Sequence, residues 1–140
     1  MFYGEYHHQL DDKCRFRIPP RFREQLGKNP MMIVGFEKCL MLYTQEDFIE
    51  RVTKRLESAD ILDVKLNTIK RVLLPQAQQI SEDKQGRVLL SSSLMQKCNI
   101  SKNLITIGVL DHVEIWDEDS YKNYMAGVNV EKILEEPFSR

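Results

Sequence analysis

The sequence predicts an α+β fold in which two copies of one structural unit interlock around a barrel-like core. An Asp-x-x-x-Arg motif occurs at residues 11–15 and again at 83–87, an offset of 72 residues. Each copy continues in the same order, with a strand, a charged turn, a strand, a short helix and two more strands. Such a unit cannot bury both of its faces alone, so we expect the two copies to pack together.

The likeness of the two copies extends beyond the motif. At the same offset Ile18 matches Leu90 and Phe22 matches Leu94, as apolar positions of a strand and of the following helix. An extra residue in the second copy changes the offset to 73, after which three further pairs match: Gly35 with Gly108, Tyr43 with Trp116, and Phe48 with Tyr121. The chain is therefore expected to have internal pseudo-twofold symmetry.

The elements of the first copy follow from alternation and from helix-ending residues. Arg15 and Arg17 alternate with Phe16 and Ile18, which puts the two arginines on one face of a short strand. Gly27 suits the end of the helix that follows. The predicted elements are strands at 2–9, 15–18, 31–35 and 39–43 and a helix at 21–26.

A helical linker of two segments is predicted between the copies. Thr44 suits the cap of the first segment, with Asp47 as its capping-box partner. Asp60 is expected to begin the second segment. The apolar rows of the two segments are Phe48, Val52 and Leu56, and then Ile61, Leu62, Leu66, Ile69 and Leu73.

The second copy repeats the pattern of the first. Ser91 or Ser92 is expected to cap a short helix that runs to about Cys98, and Asp117 to cap the last helix. The predicted strands are 79–81, 87–90, 104–109 and 112–116. From about Val128 the acidic chain is expected to be a loosely held tail.

Composition and cysteine usage limit the class of protein. The 140 residues are 42% hydrophobic and 29% charged, which is ordinary for a soluble globular chain. The apolar runs at 31–36 and 104–110 are too short to cross a bilayer, and no signal peptide is recognisable, so we expect a cytoplasmic protein with no membrane partner. Cys14, Cys39 and Cys98 form no C-x-x-C pair and are predicted to be free thiols.

Metal, cofactor and catalytic sites are not predicted. Adjacent histidines on a strand, such as His7 and His8, face opposite sides and cannot bind one metal ion together. The sequence contains no G-x-S-x-G motif, no phosphate-binding glycine loop and no Cys/His pair with an orienting partner. We therefore predict a protein that is not an enzyme and that binds no metal and no cofactor.

The charge distribution leaves a polyanionic partner possible. Residues 1–28 carry six basic and four acidic side chains, a net charge of +2, whereas residues 111–140 carry three basic and eight acidic side chains, a net charge of −5. A local basic face could therefore bind a polyanion although the whole chain is nearly neutral. In each motif, an Arg can make a forked contact to a phosphate or to a guanine edge, or it can form an ion pair with its own Asp.

Several segments resemble the MraZ family. Residues 10–19, LDDKCRFRIP, are similar to its L-D-x-K-G-R-x-x-I-P signature, and residues 83–90, DKQGRVLL, to the second copy of that signature. The opening Met1-Phe2-x-Gly4 and the Glu114-Ile115-Trp116 strand also fit. The resemblance covers residues 1–125, with Cys14 in place of the family's turn glycine and Ser91 in place of its usual proline.

The resemblance implies a bacterial transcriptional regulator of the division and cell-wall gene cluster, built from two AbrB-like swapped-hairpin halves. Family members form rings and bind short repeated boxes, which implies double-stranded promoter DNA and an octameric or similar homo-oligomer as partners, at the nucleoid. The implied DNA-binding residues are Lys13, Arg15, Lys84 and Arg87, to which we add Arg17 and Arg21 as phosphate contacts. Arg17, Arg21 and Arg23 together are expected to be a mixture of phosphate-binding and solvated side chains. Asp11, Asp83 and Gly86 are expected to hold the turns.

The implied division of the chain is two halves with a linker and a tail. The halves are residues 5–47 and 77–120, the linker is 48–76, and the C-terminal helix and acidic tail are 121–140. An alternative function is a homo-oligomeric scaffold or protein-interaction module without specific DNA binding, whose acidic C-terminal part meets the partner.

Overall fold

A computed structural model describes residues 1–137 and shows a mixed α+β fold. The strands are β1 (Phe2–Gln9), β2 (Arg15–Phe16), β3 (Met31–Val34), β4 (Leu40–Tyr43), β5 (Gln78–Gln79), β6 (Val88–Leu89), β7 (Asn103–Leu110) and β8 (Val113–Asp117). The helices are α1 (Pro20–Leu26), α2 (Gln45–Phe48), α3 (Lys54–Glu57), α4 (Val64–Leu73), α5 (Ser92–Lys97), α6 (Glu118–Ala126) and α7 (Val130–Glu135). A π-helical segment, Ile49–Thr53, joins α2 to α3, and a 3₁₀ turn, Leu74–Gln76, follows α4.

Strand pairing joins the two copies of the repeat. Six strands form an antiparallel sheet in the order β1-β7-β8-β4-β3-β5, and β2 pairs separately with β6. The first strand of each copy thus pairs with the other copy, since β1 lies against β7 and β5 against β3. Within residues 1–137, β1 and β5 stand at the two ends of the sheet, so these pairings do not close a barrel, and that part of the prediction is not confirmed.

The main core lies between the sheet and the two short helices. Phe22 of α1 is fully buried and makes edge contacts with the rings of Phe2 and Tyr6. Leu94 of α5 is buried in the same cluster, at the matching position of the second copy. Burial of these apolar side chains from both copies in one cluster is the principal stabilising contribution to the fold.

The linker differs from the prediction at the start of its second helix. Ile61 and Leu62 are 91% and 82% exposed, and α4 begins only at Val64, so the predicted helix start at Asp60 is wrong. Asp60 instead accepts a hydrogen bond from the Leu62 amide in a turn, and Asp63 caps α4 by accepting one from the Leu66 amide. Both aspartates favour the start of a helix, and the second one is used.

The C-terminal part is more ordered than predicted. Asn129 caps α7 by accepting a hydrogen bond from the Lys132 amide, so the expected loose tail is helical over Val130–Glu135. The apolar side chains of α7 are nevertheless exposed. Residues 138–140 of the predicted tail lie outside the described residues.

Capping and cysteine chemistry follow the prediction. Ser91 and Asp117 cap α5 and α6 through their side-chain oxygens. All three cysteines are free; Cys14 is half-buried, and burial raises the pKa of the Cys98 thiol to about 11. In the described part of the chain, every helix is too short or too polar to span a membrane.

Candidate nucleic-acid interface

The first motif forms a turn that its aspartate holds together. One carboxylate oxygen of Asp11, Oδ1, accepts hydrogen bonds from the backbone amides of Lys13 and Arg15, each at 2.9 Å. The other, Oδ2, accepts one from Arg15 Nε at 2.8 Å. The backbone amide of Asp11 also donates to the carbonyl of Arg15 at 2.8 Å, which closes the turn.

The second motif reproduces this turn bond for bond. Asp83 Oδ1 accepts from the amides of Gln85 and Arg87 at 2.9 Å, and Oδ2 accepts from Arg87 Nε at 2.8 Å. The residue before each arginine has a positive φ, 59° at Cys14 and 77° at Gly86. The same arrangement in two copies shows that the local sequence pattern determines the turn geometry.

The pKa values of the two aspartates are lowered by these contacts. The Arg87 amide, together with the Arg87 side chain and the Gln85 amide, lowers the pKa of Asp83 to about 2 against an opposing effect of desolvation. Partial burial by itself raises the pKa of Asp11, but the hydrogen bonds from Arg15 and Lys13 outweigh it and the pKa falls. Both carboxylates are thus ionised at neutral pH and hold their arginines in place.

Each motif arginine is both an ion-pair partner and an available donor. The pairs use Nε, and within residues 1–137 the Nη groups of Arg15 and Arg87 take part in no hydrogen bond. A guanidinium has five N–H donors in a planar fork, so four remain for another acceptor. The sequence left two roles open for each arginine, an ion pair with its own Asp and a contact to nucleic acid. The geometry allows both at once.

Pairing of β2 with β6 brings the two motifs together. Arg15 lies opposite Leu89 and Phe16 opposite Val88, so this two-stranded ribbon crosses from one copy of the repeat to the other. The Leu90 amide also donates to the carbonyl of Cys14 at 2.9 Å. The two turns therefore lie at opposite ends of one short ribbon, related by the pseudo-twofold axis of the chain.

A surface groove of about 640 Å³ lies beside the ribbon. Its wall includes three of the predicted DNA-binding residues, Arg15, Arg17 and Arg87, and two of the predicted turn residues, Asp11 and Gly86. Arg17 is exposed, whereas Arg15 and Arg87 are half-buried by their ion pairs. The groove thus gathers guanidinium groups from both copies of the repeat.

The other predicted residues lie outside the groove wall. Lys13 and Lys84 are exposed within the two turns, and Asp83 lies in the second turn. Arg21 stacks on the ring of Tyr3, with Cζ 3.9 Å from the ring centroid. Lys13, Lys84 and Arg21 are thus exposed cations that do not line the groove.

Arg23, which the sequence left among phosphate-binding and solvated arginines, and His8, which it did not assign to the site, both line the groove. The Nε of Arg23 donates to both carboxylate oxygens of Glu82, at 3.0 and 2.9 Å, and so connects α1 to the second copy. His8 Nε2 lies 2.6 Å from Thr106 Oγ1, and burial lowers the pKa of His8. The sequence signal for Arg23 is that it follows Arg17 and Arg21 in one run of basic residues.

Comparison with known proteins identifies relatives of the whole chain. The family model described as "MraZ protein, putative antitoxin-like" matches twice, over residues 1–72 and 73–140. A protein of Clostridium tetani named "Transcriptional regulator MraZ" is 35% identical over 96% of this chain and 95% of its own length. A protein with the same name from Acetivibrio thermocellus is 34% identical over 93% of this chain and 90% of its own length. Another, from Mycoplasma mobile, is 30% identical over 99% of this chain and 97% of its own length.

Proposed function

Because the chain belongs to the MraZ family, we propose that it is a sequence-specific, DNA-binding transcription regulator. The observation that carries the proposal is the pair of matching Asp-x-x-x-Arg turns whose arginines, Arg15 and Arg87, meet at one groove. The relatives are named as regulators of transcription, and that name supports the same class for this chain. We place the protein in the cytoplasm, at the nucleoid.

The proposed roles of the side chains follow from their geometry. Arg15 and Arg87 are held at Nε and direct their remaining donors to phosphate oxygens or to a guanine edge. Arg17, Arg21, Lys13 and Lys84 are exposed cations that contact phosphates and so contribute affinity rather than sequence readout. Asp11 and Asp83 act through the arginines that they orient, and Gly86 through its positive φ.

We further propose that the two halves have the AbrB-like swapped-hairpin architecture. The exchanged pairings β1–β7 and β5–β3 and the ribbon β2–β6 support this proposal, because each joins one copy to the other. The proposed division into halves at 5–47 and 77–120, a linker at 48–76 and a C-terminal segment at 121–140 keeps each motif within one half.

The proposed target is the operon for division and cell-wall genes, bound as a ring at repeated promoter boxes. One ribbon is short and reaches few base pairs, so several subunits that dock on successive boxes would supply specificity through effective concentration. A monomeric variant with both turns intact should therefore lose promoter binding. Equal binding by such a monomer would exclude the ring part of the proposal.

The test is a binding titration of the full chain on the DNA upstream of its own operon, with scrambled DNA as control. The wild type should prefer its promoter, and its affinity should fall by about 0.9 log units per contacted phosphate for each log unit of salt. Arg15→Glu should abolish the preference, whereas Arg55→Glu, a charge reversal on an exposed residue of α3, should not. Binding that is indifferent to sequence and to Arg15→Glu would exclude the proposal.

A scaffold function is the second candidate, and α7 favours it. Val130, Ile133 and Leu134 follow the i, i+3, i+4 spacing of a buried helix face, but they are exposed beside Glu131 and Glu135. An acidic, apolar helix of this kind is suited to a protein partner. If α7 binds a protein partner, that binding should be unchanged in Arg15→Glu and lost in Ile133→Glu.

A further inference from the structure

The β2–β6 ribbon presents one face to solvent and the other to the core. The inward side chains of its paired residues are buried, with Phe16 3% and Val88 2% exposed. Successive residues of a strand alternate between faces. The outward positions are Arg15, Arg17, Arg87 and Leu89.

Leu89 is the member of this set that breaks the symmetry. At the repeat offset of 72 residues it corresponds to Arg17, so the pseudo-twofold axis pairs a cation with an aliphatic side chain. Leu89 is 64% exposed and lies directly across the ribbon from Arg15. A single exposed leucine is ordinary on a protein surface, but this one lies beside Arg15, next to the first turn, on an otherwise cationic ribbon face.

We propose that Leu89 is a specificity-determining residue that packs against the 5-methyl group of a thymine in the major groove. The inference rests on the proposed function, since it requires that the ribbon face binds duplex DNA. A two-stranded antiparallel ribbon fits the major groove of B-DNA. Of the four bases, thymine alone carries a methyl group there, and apolar side chains make the contact that recognises it.

The arginines around Leu89 explain how an aliphatic side chain reaches the bases. Arg15, Arg17 and Arg87 supply the positive charge that attracts the duplex and the donors that bind its phosphates. Those contacts hold the ribbon face at the major groove of the DNA, and Leu89 projects from the same face. Burial of its side chain against the thymine methyl removes apolar surface of both groups from water.

The asymmetry of the ribbon gives the recognised box a direction. The half of the contact around Arg17 meets phosphate, whereas the half around Leu89 meets thymine. A palindromic box would offer identical groups to both halves and would satisfy one of them poorly. Each recognised box should therefore be non-palindromic.

The test replaces thymines by deoxyuridine, one at a time, in promoter DNA bound by the full-length protein. Deoxyuridine lacks only the 5-methyl group, so base pairing is kept. For the wild type, one thymine in the box should be sensitive, with affinity weakened by about fourfold when its methyl is absent, which is the effect of about 0.8 kcal/mol for one buried methyl-sized group. Leu89→Ala should weaken binding to normal DNA by at least as much and should be indifferent to deoxyuridine at that position.

Two further variants test whether the effect is specific to the leucine at position 89. Leu62→Ala removes an exposed leucine, 82% exposed in the linker, and should keep wild-type affinity and wild-type sensitivity to deoxyuridine. Leu89→Arg makes all four outward positions of the ribbon cationic. For one added phosphate contact, the affinity should fall more steeply with salt, by about 0.9 more log units per log unit of salt. This variant should no longer discriminate between thymine and deoxyuridine. All of these positions are exposed, so the variants are expected to fold.

The outcomes separate this inference from the function on which it rests. Promoter-specific binding that no deoxyuridine weakens, or that Leu89→Ala leaves equally sensitive to deoxyuridine, would overturn the role of Leu89 and leave the regulator proposal standing. Wild-type protein that does not distinguish its promoter from scrambled DNA would overturn both.

Discussion

The two turns provide a direct test of how backbone conformation holds the interface. Gly86 has φ 77°, a conformation that costs a residue with a Cβ about 1–2 kcal/mol. A Cβ on Gly86 would also lie 3.3 Å from Glu82 Oε2, which accepts a hydrogen bond from Arg23. Gly86→Ala should therefore strain the second turn and crowd the Glu82 carboxylate that pairs with Arg23 of α1.

The expected net effect follows from two opposed contributions. Replacing glycine by alanine lowers the conformational entropy of the unfolded chain and by itself stabilises the fold by about 0.4–1 kcal/mol. The left-handed conformation at Gly86 costs more than this, so Gly86→Ala should destabilise the protein by about 1 kcal/mol. For a chain of this length that is a decrease in melting temperature of about 3 °C.

Gly127 provides the matched control. Its φ is −84°, and the nearest atom to an added Cβ, the Tyr124 carbonyl oxygen, would be 3.6 Å away. Gly127→Ala should therefore increase the free energy of unfolding by about 0.4–1 kcal/mol. Both variants would be compared with wild type by urea unfolding at one protomer concentration, because assembly makes stability concentration-dependent. A Gly86→Ala protein as stable as Gly127→Ala would refute the argument from turn geometry.

Three further predictions concern single side chains. Cys14→Gly should stabilise the fold by up to about 1 kcal/mol, because it relieves φ 59° in the first turn at some cost in unfolded-state entropy; a loss of stability on urea unfolding would contradict this. Burial lowers the pKa of His112, but Glu114 and Asp111, whose oxygens lie 2.9 and 2.6 Å from its ring nitrogens, outweigh burial and raise it. The stability that His112 contributes is therefore complete below about pH 6.5 and is lost as the pH rises through the raised pKa, and His112→Gln should flatten the pH dependence of urea unfolding in that window. Asp117→Ala should cost about 1–2 kcal/mol, since buried Asp117 accepts hydrogen bonds from the Ser120 amide that it caps and from the Ser101 amide; an unchanged unfolding midpoint would show that the cap contributes nothing.

The repeat made most of the fold predictable from the sequence. Strands of one copy could be matched to those of the other, and the turns at 11–15 and 83–87 were expected to be alike because they share Asp and Arg at the same spacing. What the repeat could not predict was which strands pair across the copies. That choice depends on packing of residues such as Phe2, Phe22 and Leu94 in one core, which is a property of the whole chain.

The linker shows where local patterns were insufficient. Asp60 and Asp63 are both good capping residues, and only the folded chain decides that Asp63 begins α4. Phe48, Val52 and Leu56 were assigned to one face at α-helical spacing, but Ile49–Thr53 is a π-helical segment. Such a segment inserts an extra residue into a turn, and no sequence signal distinguished it from an ordinary α-helix.

The sequence proposed the main residues of the candidate site, whose role in DNA binding stays a prediction, but not their arrangement. The motif identified Arg15 and Arg87, whereas the ion pairs through Nε, the groove and the place of Leu89 on the ribbon required the three-dimensional structure. Comparing the copies position by position could have indicated Leu89, because Arg17 and Leu89 occupy matching positions with unlike chemistry.

The two turns are proposed to recognise promoter DNA together. The most direct measurement is the ratio of the affinity for the protein's own promoter to the affinity for scrambled DNA. This ratio is compared between the double variant Arg15→Ala/Arg87→Ala and a control double variant, Arg55→Ala/Lys65→Ala. The control loses the same charge at exposed positions of the linker. We predict that the control pair keeps the wild-type ratio at two salt concentrations, whereas the double variant of the turns reduces it to about one. A turn variant that keeps the wild-type ratio would contradict the account, because the arginines would then hold the fold without reading DNA.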